Sequence, residues 1–192
     1  MSAGGSNNAL IKVRELPSAI PELRVGDHIL ISGDIYTARD AAHAAFMRLL
    51  DAGAELPFDI RGEVIYYTGP TPGGARPVGS CGPTTSGRMD SFAPRLYDIG
   101  LSATIGKGER SSDVREAIVR NKAIYLCAVG GAGALMAKHV INAEEIAFPE
   151  LGCESVKRLT VTSMPLIVGI DCLGDDIFEL GRKRYELRIE SL

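Results

Sequence analysis

Apolar positions along the chain come in short blocks that switch between an alternating spacing and a helical one. Alternation over residues 11–16 predicts a short strand, and DHILIS at 27–32 predicts a buried strand ended by Gly33 and Asp34. Residues 38–52 carry Ala41, Ala45 and Leu49 four apart, which puts them on one helical face. Thr37 sits where a hydroxyl N-cap would satisfy free amides, and Gly53 closes the helix. VIYY at 64–67 predicts a strand that runs into the turn-rich GPTPGGARPVG.

The second half repeats the alternation. A helix is predicted over 91–99, a strand over 102–105, a helix over 111–120 begun by Ser111, and a buried strand over 123–129. GGAGAL leads into a short helix, and residues 157–162 and 166–172 predict two further strands. No period repeats, and no long polar linker divides the chain. The expectation is one α/β domain over residues 10–192, preceded by a small, polar, disordered leader over 1–9.

Composition narrows the function classes. With 192 residues and 45% hydrophobic content the chain is large enough to bury a real core. Its formal net charge of −3 provides no basic field for nucleic acid. No apolar run approaches the roughly 18 residues of a membrane span, and the start lacks a signal-peptide pattern. A cytoplasmic protein without nucleic-acid or membrane partners is expected. Cys81, Cys127, Cys153 and Cys172 are far apart and form no CxxC or Cys/His cluster, so no metal site of its own is expected.

Three loops carry candidate chemistry. In GDIYTARD, Arg39 would lie in a first helical turn beside amides that favour an anion such as a carboxylate; pairing with Asp40 or Asp34 on a solvated face fits the same spacing. In GSCGPTTSGRMD at 79–90, glycines allow close backbone approach, Thr84, Thr85 and Ser86 supply hydroxyls, and Arg88 adds a bidentate fork. A glycine-rich turn with an N-cap threonine would read similarly. In IGKG, Lys107 stands between glycines after a strand. The spacings of a P-loop and of GxGxxG are both missing, which argues against nucleotide binding. His43, one turn after Arg39, fits either the same cleft or a packing role.

GDIYTARDAAH, GEVIYYTGPTP, GSCGPTTSGRMD and IGKG, followed by VGGAGAL, LGCES and MPLIVGIDCLGDD, occur in the order seen in one family. The chain resembles the β subunit of class I, iron-sulfur-dependent fumarate hydratases and L-tartrate dehydratases, equivalent to the C-terminal domain of single-chain class I fumarases. The resemblance covers nearly everything after the leader. It implies a swivelling β/β/α domain that closes over a [4Fe-4S] cluster held by a separate α subunit and not ligated by this chain. Cys81 is read from its place in the loop as a small buried filler; the resemblance would put a residue such as alanine there, and the thiol would then add sensitivity to oxidation.

By the same resemblance the substrate is a C4 dicarboxylate. Arg39, Arg88 and Lys107 would clamp its carboxylates and stabilise the aci-carboxylate, and Thr84 would be the base, positioned by Thr85 and neighbouring amides. Asp90, the rival base, is read as orienting Arg88 or capping the following helix. The implied activity is fumarate hydratase, interconverting (S)-malate and fumarate only with the α subunit. The alternatives are tartrate dehydration to oxaloacetate, mesaconate hydration, or a non-catalytic dicarboxylate-binding module. The isolated chain is expected to self-associate as a homodimer.

Overall fold

The computed structural model describes residues 9–189, so the leader expected over 1–9 lies outside the described residues except for Ala9, which opens the first strand. Five strands run parallel in the order β1 (Ala9–Lys12), β2 (His28–Thr37), β3 (Val64–Tyr66), β4 (Ala103–Gly106) and β5 (Ile124–Cys127). Two more follow, β6 (Val140–Ala147) and the fifteen-residue β7 (Val156–Ile170). β7 pairs antiparallel with β6, with β2 and with β5, so the ladders from β2 through β3, β4, β5 and β7 return to β2.

Side-chain alternation on the central strands separates two cores. Val64, Tyr66, Ala103, Ile105, Ile124 and Leu126 face Ile29, Ile31, Ile35, Leu159 and Val161 of the antiparallel layer. Ile65, Tyr67 and Tyr125 face the other way, toward Phe46 of α2 (Asp40–Asp51), Leu96 of α3 (Ala93–Asp98) and Val114 and Ile118 of α4 (Ser112–Asn121). The result is one domain of mixed α/β character with an antiparallel β layer on one face and helices on the other. No helix among the described residues is long and apolar enough to cross a membrane.

Several elements depart from the sequence expectation. The strand expected over 11–16 ends at Lys12; Pro17, at home in a first helical turn, starts the short helix Leu16–Ala19 instead. β2 does not stop at Gly33 but runs on to Thr37, because a register shift against β7 between Ile31 and Gly33 absorbs the irregularity. α2 starts at Asp40 with Arg39, not Thr37, as its capping residue. The Thr37 hydroxyl is buried and engaged elsewhere, accepting from Lys157 N at 3.0 Å and donating to the Ser155 carbonyl at 3.3 Å. The strands expected over 157–162 and 166–172 are one, β7, with Ser163 at φ 48° between them. Neither β6 nor the C-terminal helix Ile177–Ile189 was anticipated; both have polar surfaces with weak periodicity. The helix at 111–120 matches α4, whose N-cap Ser111 accepts from Val114 N.

Candidate functional site

The sequence-predicted residues meet where parallel strands end. Ligands of α/β sheets gather outside the carboxyl ends of such strands. Here Arg39 follows β2, Thr68 and Gly69 follow β3, Lys107 follows β4, and Gly130 follows β5. The 79–90 loop is laid across the ends of β3 and β4 by its backbone. Cys81 N donates to the Gly133 carbonyl at 3.0 Å, Thr84 N to Tyr67 at 2.8 Å and Ser86 N to Lys107 at 2.9 Å. Thr68 Oγ1 donates to the Gly82 carbonyl at 2.8 Å, and Thr85 bridges to Lys107. Thr84 is half-buried and Thr85 and Arg88 are exposed.

Gly106 explains why the loop can sit so low. A Cβ there would lie 1.9 Å from Ser86 Oγ and 3.0 Å from the Tyr67 ring. Ser86 Oγ lies 2.9 Å from Tyr125 Oη, which itself donates to the Gly108 carbonyl at 2.9 Å. A phenol has one proton, so Ser86 is the donor in the first bond.

Each arginine near these loops is matched with a carboxylate. Arg88 Nε donates to Asp40 Oδ1 at 2.9 Å. Arg39 Nη2 lies 3.4 Å from Glu154 Oε1, while its Nη1 passes so close to Gly69 that a Cβ there would come within 3.0 Å. Glu154 Oε2 also accepts from Ala41 N at 3.0 Å, so this carboxylate caps α2 from across the fold. Arg39 is thus not paired with Asp40 or Asp34: Asp40 serves Arg88, and Asp34 accepts from Thr160 Oγ1. Lys107 is half-buried, with its stem across Gly130, and its ammonium has no ion-pair or hydrogen-bond partner among the described residues.

The reading of Asp90 needs correction. It neither orients Arg88 nor caps the following helix α3; its Oδ1 accepts from Arg110 Nε at 2.7 Å and its Oδ2 from Ser111 N at 2.6 Å, ahead of α4. Arg110, passed over in the sequence, is buried beneath the loops. Its guanidinium lies 5.3 Å and 5.0 Å from the Tyr67 and Tyr125 ring centres and donates to Thr104 Oγ1 at 3.0 Å. Burial alone would depress its pKa; Tyr67, Tyr97 and Asp90 outweigh burial and raise it. Glu154 was missed too. Its only sequence signal was its place in LGCES, since a carboxylate capping a helix 113 residues away leaves no local pattern.

His43 takes the packing role. It is wholly buried against Phe46, Tyr67 and Phe92, and its Nδ1 lies 2.8 Å from the Arg39 carbonyl, so Nδ1 carries the proton and donates. Burial pushes its pKa down to about 4, which keeps it neutral. Cys81 is also fully buried, as a small filler would be, and burial lifts its thiol to about 11, which works against oxidation sensitivity. Cys127 is likewise raised to about 11 by burial, and Cys153 is exposed. Burial holds the Cys81 and Cys127 thiols in the protonated form, which does not suit ligation of an iron-sulfur cluster, and no group of three or more metal-ligating side chains occurs among the described residues. A hollow of about 750 Å³ lies at the amino end of β3, between Lys12, Arg14, Asp34, Arg61 and Glu63; none of Arg39, Thr84, Thr85, Arg88 and Lys107 lines it.

Comparison with known proteins adds the family context. The family model described as Fumarase C-terminus matches residues 5–181. The anaerobic class I fumarate hydratase of Escherichia coli K12 is 39% identical over 171 residues, 87% of this chain and 31% of that protein. Fumarate hydratase 2 of Leishmania major is also 39% identical, over 87% of this chain and 29% of its own length. The L(+)-tartrate dehydratase subunit beta of Escherichia coli K12 is 33% identical over 179 residues, 90% of this chain and 88% of that subunit. The chain therefore spans about a third of the fumarate hydratases it matches and most of the tartrate dehydratase subunit.

Proposed function

The chain belongs to the Fumarase C-terminus family, and on that premise we propose that it is the β subunit of a hydro-lyase acting on a C4 dicarboxylate. The reaction is fumarate hydration, interconverting (S)-malate and fumarate, in complex with an α subunit. One observation carries the reading: Arg39, Thr84, Arg88 and Lys107, spread over 69 residues of sequence, are gathered at the carboxyl ends of neighbouring parallel strands. Three cations and a hydroxyl carried by loops at one end of the sheet suit a small dianion, because fixed charges at a site that closes need no reorganisation when negative charge develops.

In this reading Arg39, Arg88 and Lys107 hold the carboxylate oxygens and stabilise the aci-carboxylate formed as the neighbouring carbon loses its proton. Thr84 takes that proton. Its backbone is pinned by Tyr67, and cations on the neighbouring loops would favour the ionised hydroxyl that a base of this kind requires. Thr85 and the adjacent amides position it. The four cysteines of this chain do not fit a [4Fe-4S] cluster, so the cluster is assigned to the α subunit, where it would polarise the substrate hydroxyl as a Lewis acid. The proton for the departing hydroxyl also comes from that subunit, over which this domain would swivel closed. Without it the chain is expected to self-associate.

Tartrate dehydratase is the second reading. It is favoured by length, since the chain matches the tartrate dehydratase subunit nearly end to end. The two substrates differ by one hydroxyl, which tartrate carries on the carbon that loses its proton. The test is anaerobic co-expression with the α subunit and comparison of rates on (S)-malate, fumarate and L-tartrate. Thr84→Ala is expected to lower kcat by roughly 10²–10⁴-fold while substrate still binds, as for loss of a general base. Near-normal turnover in that variant would remove Thr84 from the mechanism.

A further inference from the structure

The first turn of α2 has a property found nowhere else among the described residues. The three buried side-chain polar atoms without a partner are Arg39 Nε, Asp40 Oδ2 and His43 Nε2, all within five residues. Buried polar atoms are nearly always paired, and exceptions concentrate where function requires them. The same turn supplies or steers both guanidinium groups of the site. Arg39 belongs to it directly, and Arg88, 48 residues later, is tied to it through Asp40.

The geometry of the two pairs is specific. Asp40 takes the Nε of Arg88, and the Nη nitrogens of Arg88 have no hydrogen-bond partner among the described residues. Holding a guanidinium by Nε at one side leaves its terminal edge for a second carboxylate, the bidentate geometry that arginine favours. Glu154 uses its two oxygens differently, one against Arg39 Nη2 and one on Ala41 N. Its position therefore links the arginine to the helix start. Arg39 also lies over Gly69, where any side chain would crowd Nη1, so the absence of a Cβ there makes room for the guanidinium.

We propose that Asp40 and Glu154 are positioning residues of the dicarboxylate clamp, setting the orientation of the Arg88 and Arg39 guanidinium groups from the first turn of α2. They do not touch substrate. Their two negative charges also offset two of the three cations at the site, so the clamp presents a net charge closer to +1 than to +3 before the dianion arrives. This proposal deepens the functional reading above and rests on it for the identity of the ligand.

The test uses the α–β complex for kinetics and the full chain for binding and side-chain NMR. Asp40→Ala is expected to raise KM for (S)-malate about tenfold, the scale of one charge-assisted hydrogen bond, with kcat changed much less; Asp40→Asn, which keeps an acceptor oxygen, is expected to recover part of the loss. In the isolated ¹⁵N-labelled chain the Arg88 Nε–H resonance is expected to be protected from exchange in the wild type and to lose that protection in Asp40→Ala. Glu154→Gln keeps an acceptor for Ala41 N but loses the charge facing Arg39, so KM is expected to rise while Tm stays near the wild-type value. A fall in Tm without a change in KM would make Glu154 a helix cap only and overturn its assignment. An unchanged KM and unchanged Nε–H protection in Asp40→Ala would overturn that of Asp40. If the wild-type complex turns over none of the three substrates, the catalytic reading fails separately. Weakening of (S)-malate binding to the chain by Asp40→Ala then supports the positioning role, and unweakened binding overturns it.

Discussion

Gly106 and Asp90 show how single residues hold the loops of the candidate site in place. Gly106→Ala would drive a methyl into Ser86 Oγ, 1.9 Å from its Cβ, and the loop must lift off β4. A loss of about 1–3 kcal/mol is expected by denaturant melting, the usual cost of overpacking, together with a fall in kcat. Asp90→Ala would leave Arg110 buried with no carboxylate, and about 3 kcal/mol or more should be lost in the same measurement. His43 makes stability depend on pH. Its pKa is about 4 when folded against an ordinary 6.5, so both states are neutral above pH 6.5 and stability there is full. As pH falls from 6.5 toward 4 the unfolded chain takes up a proton that the folded chain does not. About 3 kcal/mol is lost across that window, at up to roughly 1.4 kcal/mol per pH unit. Urea melts between pH 4 and 7 should show this slope, and His43→Gln should flatten it. The role of Asp90 is not visible in local sequence, which sets it beside Arg88, because the partner it has lies 20 residues on.

Elements with strong periodicity were legible in the sequence, and those defined by their neighbours were not. α4 was recognisable because Ser111, an acidic first turn and a buried face all lie within ten residues. The start of α2 was misplaced because a threonine before a helix looks like a cap whichever way its hydroxyl points. Here it points into the β layer, joining the end of β2 to the start of β7 through Ser155 and Lys157. Thr37→Val keeps the shape and removes both bonds, leaving the Lys157 amide without its acceptor. A loss of about 1–3 kcal/mol in thermal or denaturant melts is the expected outcome. Because Arg39 follows two residues later, a small rise in KM for the dicarboxylate should accompany it. β7 was read as two strands because Ser163 and Pro165 interrupt its pattern; what makes it one strand is that β2 pairs on both sides of the break.

At the scale of the whole molecule, two cores on opposite faces of the parallel strands fix where those strands end, and that brings the loops carrying the four candidate residues to one end of the sheet. Ligand binding should therefore stabilise the entire fold. A dicarboxylate at a hundred times its Kd would add about 2.7 kcal/mol, or roughly 5–10 °C in Tm for a domain of this size, and Arg88→Ala should reduce the shift. Sequence by itself determined the alternation of strands and helices, the positions of the glycine- and hydroxyl-rich loops, and the family, because these depend on residue types at short spacing. Only the tertiary structure decided which carboxylate each arginine meets, that Glu154 caps a helix 113 residues away, and that His43 is shut in the interior rather than facing the cleft. Those outcomes depend on through-space distance and burial, which arise only when strands far apart in sequence are hydrogen-bonded into one sheet.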